Sequence, residues 1–124
     1  MQIVSWNCRG LGNPIKAEAV KDLMRMDCFD ILLLQETKIE EDSLLLLSKP
    51  KWKMNAGKVF NARGTSGCLT TLWCEENFQL KICFVTQHWI FTELFHISSK
   101  ISLALLYLYV PVNFNEKKEC WKSL

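Results

Sequence analysis

The chain has 124 residues, 49% of them hydrophobic and 23% charged, with a formal net charge of +2. That length sustains one domain with a modest core and excludes two. Nine Lys/Arg face eight Asp/Glu in residues 1–62 and six face five in residues 63–124, so bulk charge gives no argument for a nucleic-acid partner.

Residues 1–6 form a strand pattern, followed by Gly10, Gly12, Asn13 and Pro14, which predict a turn into a helix capped by Asn13 with Pro14 at its first position. On that helix Ile15, Ala19, Leu23 and Met26 fall at four- and three-residue steps beside Val20 and Met24. This predicts an apolar stripe packed on a sheet, with Lys16, Glu18, Lys21 and Asp22 outside. Asp30 then opens the continuously apolar run 31–34, as expected of a strand covered on both faces. Strand, helix, strand predicts a βαβ unit whose strands run the same way, so that Asn7 and Glu36 emerge at one sheet edge. Residues 40–47, with acids first and Leu44 to follow, predict a short helix closed by Pro50.

From residue 51 the pattern changes to short β-like runs at 52–55, 68–73, 80–86, 89–96 and 101–109, divided by Gly57, Gly64, Gly67 and Ser98-Ser99. An antiparallel meander is expected. Residues 114–124, with Asn115 as cap and Trp121 and Leu124 three apart, begin a helix. The six cysteines, Cys8, Cys28, Cys68, Cys74, Cys83 and Cys120, contain no Cys-x-x-Cys. They predict reduced, mostly buried thiols of an intracellular protein. His88 and His96 lack ligand spacing to any cysteine pair, which argues against zinc. Residues 1–4 run straight into a strand, so no signal peptide is expected. The longest apolar run, 103–112, is about half a membrane span, which predicts a soluble protein.

Two polar groups stand at the ends of apolar strands: Asn7 in Ser5-Trp6-Asn7-Cys8-Arg9-Gly10-Leu11-Gly12 and Glu36 in Leu34-Gln35-Glu36-Thr37-Lys38. Strand ends are where an α/β sheet presents its chemistry, and an acid buried there costs several kcal/mol unless a cation or hydrogen bonds satisfy it. The pairing points to a divalent-metal site. Together with Gly64-Thr65-Ser66-Gly67 and Tyr109-Val110-Pro111, in that order, these motifs resemble the endonuclease/exonuclease/phosphatase superfamily of DNase I-like enzymes. The wording is most similar to the N-terminal endonuclease domain of plant LINE-type (non-LTR) retrotransposons.

The resemblance spans essentially all of the chain but only the first half of that family's domain. It implies an α/β (α+β) fold, the first half of a DNase I-like four-layer α/β sandwich with a mixed, mostly antiparallel sheet and flanking helices, in a single truncated domain over 1–124. It implies that Glu36 binds catalytic Mg²⁺ or Mn²⁺, weakly held, with Asn7 supporting metal and phosphate, and that the Tyr109 phenol approaches the scissile phosphate. The bland alternatives are a solvated acid, a turn-forming asparagine and an interior strand tyrosine. Arg9 and Lys38 would approach phosphate, or simply be solvated. Asn113 is displaced by Val112 from the family's usual place after the proline, and Cys68 stands where plant elements usually show glycine. Trp73 and Trp89 sit at strand positions and are expected in the core rather than as base-stacking platforms.

Phosphodiester cleavage places negative charge on phosphoryl oxygens, which a hard cation held by carboxylate and amide oxygens stabilises. The family's later Asp-x-Asn and Asp-His pairs have no counterpart, since the last aspartate is Asp42, and both histidines lie in strand patterns. Three functions follow as expectations. The first is a fragment of a Mg²⁺-dependent DNA endonuclease, inactive or nearly so alone and nuclear by resemblance; the second is a non-catalytic remnant or interaction domain; the third is a phosphoesterase of small phosphoesters. Truncation also predicts that the first sheet lacks its covering partner, leaving surface for self-association.

Overall fold

A computed structural model describes residues 1–7, 14–26, 29–37, 54–60, 69–109 and 114–124. The short helix expected at 40–47 and the Gly64–Gly67 motif lie outside them. The order is β1 (Ile3–Asn7), α1 (Pro14–Met26), β2 (Ile31–Gln35), β3 (Ala56–Phe60), β4 (Leu69–Trp73), β5 (Phe78–Val85), β6 (Trp89–His96), β7 (Ile101–Leu108) and α2 (Phe114–Ser123). The fold is α+β, with half of the described residues in strands. One four-stranded mixed sheet has the order β1-β2-β4-β3, and a second, antiparallel sheet has the order β5-β6-β7.

The βαβ unit forms as expected. β1 and β2 are parallel, with Ile3 opposite Ile31 and Asn7 opposite Gln35, so the ends of both strands reach the same edge. The unit is closed at its start by Gln2, whose backbone N–H donates to the Asp30 carboxylate at 2.7 Å. β2 is the inner strand, covered on both faces: Ile31, Leu32 and Leu34 are buried and Leu33 nearly so. β4 runs antiparallel to β2 and to β3 and is buried throughout.

The expected single meander divides into two sheets. β3 and β4 extend the first, and β5 to β7 form a separate meander that turns back across it. The two sheets meet face to face. Ile31 and Trp73 of the first pack with Phe78 and Leu94 of the second, and Leu69 packs with Ile90 and Tyr107. Strands of this same chain therefore cover the inner strands β2 and β4, where a sheet without its partner was expected, while Ile3, Ser5 and Asn7 of the edge strand β1 stay exposed. Face-to-face packing removes the apolar faces of β2, β4 and β6 from water.

Three local differences have physical causes. Of the strand expected at 52–55, residues 52–53 lie outside the described residues and 54–55 are not in a strand; β3 begins at Ala56, because Gly57 belongs inside a strand rather than between two. A Cβ there would lie 2.5 Å from Leu72 Cδ2 and 2.7 Å from the Thr71 carbonyl oxygen, so this position admits only a bare backbone at the β3–β4 approach. On α1, Val20 is buried while Ile15 and Ala19 are exposed. Val20 belongs to the expected stripe, and Lys16, expected outside, is half-buried one turn before it, its stem contributing apolar length. On α2, Asn115 lies inside the first turn, and the buried residue is Cys120 rather than Trp121 or Leu124, which are exposed. The described cysteines, Cys74, Cys83 and Cys120, are free thiols, one of them buried. Among the described residues no helix is long and apolar enough to cross a membrane.

Gly57→Ala is expected to lose about 1–3 kcal/mol of stability, the usual cost of overpacking against groups that cannot yield. Equilibrium urea unfolding measures it, and an unchanged midpoint would contradict the close approach.

Candidate functional site

The edge where β1 and β2 end is the candidate site. Side chains on one face of a sheet recur every second residue, so on β2 the residues Ile31, Leu33 and Gln35 all face the second sheet, as do Ile3, Ser5 and Asn7 opposite them on β1. On β2 the first two of these positions are apolar core, whereas Ile3 and Ser5 of the edge strand β1 are exposed. The third is polar, and there the chain of β7 arrives: the Gln35 side-chain amide donates to the Leu108 carbonyl at 3.3 Å, and Ser5 and Tyr107 hydroxyls lie 3.4 Å apart.

One residue past β7, Tyr109 is held by its backbone N–H, which donates to the His88 carbonyl at 2.8 Å. Its hydroxyl points back to the first sheet and donates a long, weak bond of 3.5 Å to Glu36 Oε1. Two residues 73 positions apart are thus joined at the edge where Asn7 also ends, and Asn7 sits directly across from Gln35 in the register. The sequence-predicted Asn7, Glu36 and Tyr109 share one edge. Arg9, Lys38 and Asn113 lie outside the described residues.

Glu36 has φ 55°, in the left-handed region. A non-glycine residue there is uncommon and costs on the order of 1–3 kcal/mol, and such positions concentrate at functional sites. The backbone leaves the strand geometry of β2 at this residue. Next to it the Thr37 hydroxyl is fully buried without a hydrogen-bond partner among the described residues, so the strand end holds polar capacity beyond what its described neighbours use.

Burial pushes the Tyr109 phenol above its ordinary pKa, and the Glu36 carboxylate reinforces this by charge and by accepting its hydrogen bond; the more distant Glu116 of α2 adds to it. Tyr109 is therefore a neutral hydrogen-bond donor throughout the neutral range. Sequence reading missed Gln35 and Glu116. Gln35 was findable, as the next inward position after Leu33; Glu116 was not, because only the fold brings the helix 80 residues later to this edge.

Neither histidine brings its ring to Glu36, although the His88 carbonyl holds Tyr109. His88 is buried in the turn before β6 rather than in a strand, and His96 ends β6, its ring 4.9 Å from Phe78 and its Nδ1 2.5 Å from the Ser99 hydroxyl. Trp73 is buried as expected, and Trp89 is half-buried, its indole N–H donating to Ser123 at 2.9 Å. A cleft of about 600 Å³ lined by Asn55, Lys58, Trp73, Glu75 and Phe78 opens at the other end of the sandwich, away from Glu36.

Among the described residues no three His, Cys, Asp or Glu side chains gather as a metal cage. The donors at the edge are one carboxylate and an amide, both hard oxygen ligands. That set suits Mg²⁺, which keeps several waters and takes one or two carboxylates together with substrate phosphate, and it does not suit zinc. Compared with known protein families and with curated proteins, the chain matches none.

In a Tyr107→Phe background, leaving Tyr109 as the one tyrosine, the phenolate absorbance should rise only above the free-tyrosine value of about 10. Glu36→Gln should move that titration back down. Because the folded value is the higher one, the stability linked to Tyr109 is fully present below about pH 10 and is lost as pH rises through the folded value. A titration indifferent to Glu36 would show that the two groups do not meet.

Proposed function

We propose that the chain is the N-terminal part of a Mg²⁺- or Mn²⁺-dependent phosphodiesterase of the endonuclease/exonuclease/phosphatase type, acting on DNA as the retroelement-like motifs suggest. The observation that carries the reading is the meeting of Glu36 with Tyr109 at the edge where Asn7 ends. The layering supports the DNase I-like sandwich. α1 is the crossover of the βαβ unit, and Leu32 and Leu34, which alternate with the inward residues of β2, are buried on the face of the first sheet away from the second. α2 is tied to Trp89, which alternates with the buried Ile90 and so lies on the outer face of the second sheet. With α1 over the face of Leu32 and Leu34, the order would be helix, sheet, sheet, helix.

Glu36 would hold the cation, with the Asn7 amide oxygen as a further donor; the bound cation would neutralise charge on the phosphoryl oxygens and lower the pKa of water. Tyr109, kept protonated, donates a hydrogen bond to a phosphoryl oxygen as charge grows on it. A cation held at Glu36 would compete with the Tyr109 hydroxyl for the carboxylate and would leave the hydroxyl to that contact. These 124 residues hold no aspartate beyond Asp42, so the acids of the family's later motifs are not among them and activity is expected to be small. A second reading, a non-catalytic interaction domain, is favoured by the outer face of the second sheet, where Ile82, Phe84 and Leu106 are exposed beside Phe91.

The test is nicking of supercoiled plasmid at high protein concentration. Nicking is expected to require Mg²⁺ or Mn²⁺, to stop with EDTA, and to fall on the order of 10²-fold in Glu36→Ala, as when one group that stabilises transition-state charge is removed. Nicking unaffected by EDTA or by Glu36→Ala would overturn the proposal, and a folded chain without nicking would favour the second reading.

A further inference from the structure

α2 carries a surface that the site does not use. Successive helical residues turn by about 100°, so Lys117, Trp121, Lys118 and Lys122 fall, in that angular order, within an arc of ~140°. The acids Glu116 and Glu119 fall on the other side, together with buried Cys120 and with Ser123, which ties the helix to Trp89. All four arc residues are exposed, Trp121 at 56%. They line a shallow groove of about 510 Å³. Three positive charges with no acid between them exceed the net +2 of the entire chain. Counting by halves of the sequence conceals this, because the two acids of the same helix cancel two of the lysines in number while facing elsewhere.

We propose that this arc of α2 binds the phosphate backbone of single-stranded nucleic acid, with an unstacked base laid on the Trp121 indole. Ammonium groups at helical spacing neutralise successive phosphates, and an exposed indole among them offers stacking that tolerates any base. An anionic membrane is the poorer partner, since an interfacial helix needs a broad apolar face and this arc holds one large apolar side chain. The location deepens the proposed function and rests on it: Ser123 of α2 accepts from the Trp89 indole, and the neighbouring His88 carbonyl accepts from the Tyr109 backbone N–H, so the helix is docked beside Tyr109. The arc supplies substrate affinity, and the edge supplies chemistry.

The test is fluorescence anisotropy of a labelled oligothymidylate of about 20 nucleotides, with EDTA present so that no cation at Glu36 contributes. The logarithm of affinity should fall with the logarithm of salt with a slope of about −2, as for three phosphates on a single strand. Lys117→Ala/Lys118→Ala/Lys122→Ala should remove most of that slope, and the corresponding triple arginine variant should retain it. Trp121→Ala should weaken binding roughly 5- to 150-fold with the slope kept. Glu36→Ala should bind as wild type, so loss of nicking with binding intact indicts the edge and not the arc. Binding unchanged in the triple alanine variant would overturn the proposal, as would association with phosphatidylserine vesicles without oligonucleotide binding.

Discussion

Everything at the candidate site depends on the packing of the two sheets through the inward face of β2. Ile31 and Leu33 bury against Phe78, Leu94 and the cluster of Leu69, Ile90 and Tyr107, with Leu33 touching both clusters. Each such side chain contributes about 1.5–3 kcal/mol when fully buried. The 3.5 Å contact from Tyr109 to Glu36, by comparison, lies at or below the ~0.5–1.5 kcal/mol of an ordinary hydrogen bond. The magnitudes decide the direction of cause: the sheets bring the two groups together, and the hydrogen bond does not hold the sheets.

The same packing accounts for the strained backbone. Glu36 adopts φ 55° directly after a strand buried on both faces, and a cost on the order of 1–3 kcal/mol is sustained because β2 cannot shift without opening both apolar clusters. At the far end of β7 the chain is pinned by the Tyr109–His88 backbone bond and the Gln35–Leu108 contact, and α2 is pinned beyond it at Trp89. A carboxylate, a protonated phenol and a helix whose lysines share one exposed arc are thus fixed relative to one another by neighbouring contacts. On the proposed reading, that arrangement places a cation ligand, a hydrogen-bond donor and a polyanion track along one side of the molecule.

Much of this was legible in the residues. The punctuation by Gly10, Gly12 and Pro14 and the unbroken apolar run at 31–34 specify the βαβ unit, and with it the shared edge of Asn7 and Glu36, because a parallel pair fixes where both strands end. β6 at Trp89–His96 follows from composition and turn residues alone. Which sheet each later strand joins was not legible, since alternation shows that a strand has a buried face but not what covers it. Gly57 misled for a related reason: a glycine required by a close approach inside β3 looks the same in sequence as one required by a turn. The role of Glu116 and the segregation of charge on α2 depend on where the helix docks, which local pattern does not encode.

The most direct measurement of the central claim, that Asn7, Glu36 and Tyr109 form one cation-accepting edge, is paramagnetic broadening of NMR signals by substoichiometric Mn²⁺. Selective broadening of the Tyr109 ring and Asn7 side-chain amide, abolished in Glu36→Ala, is the predicted result. Broadening spread over the surface acids, or unchanged without Glu36, would contradict the account.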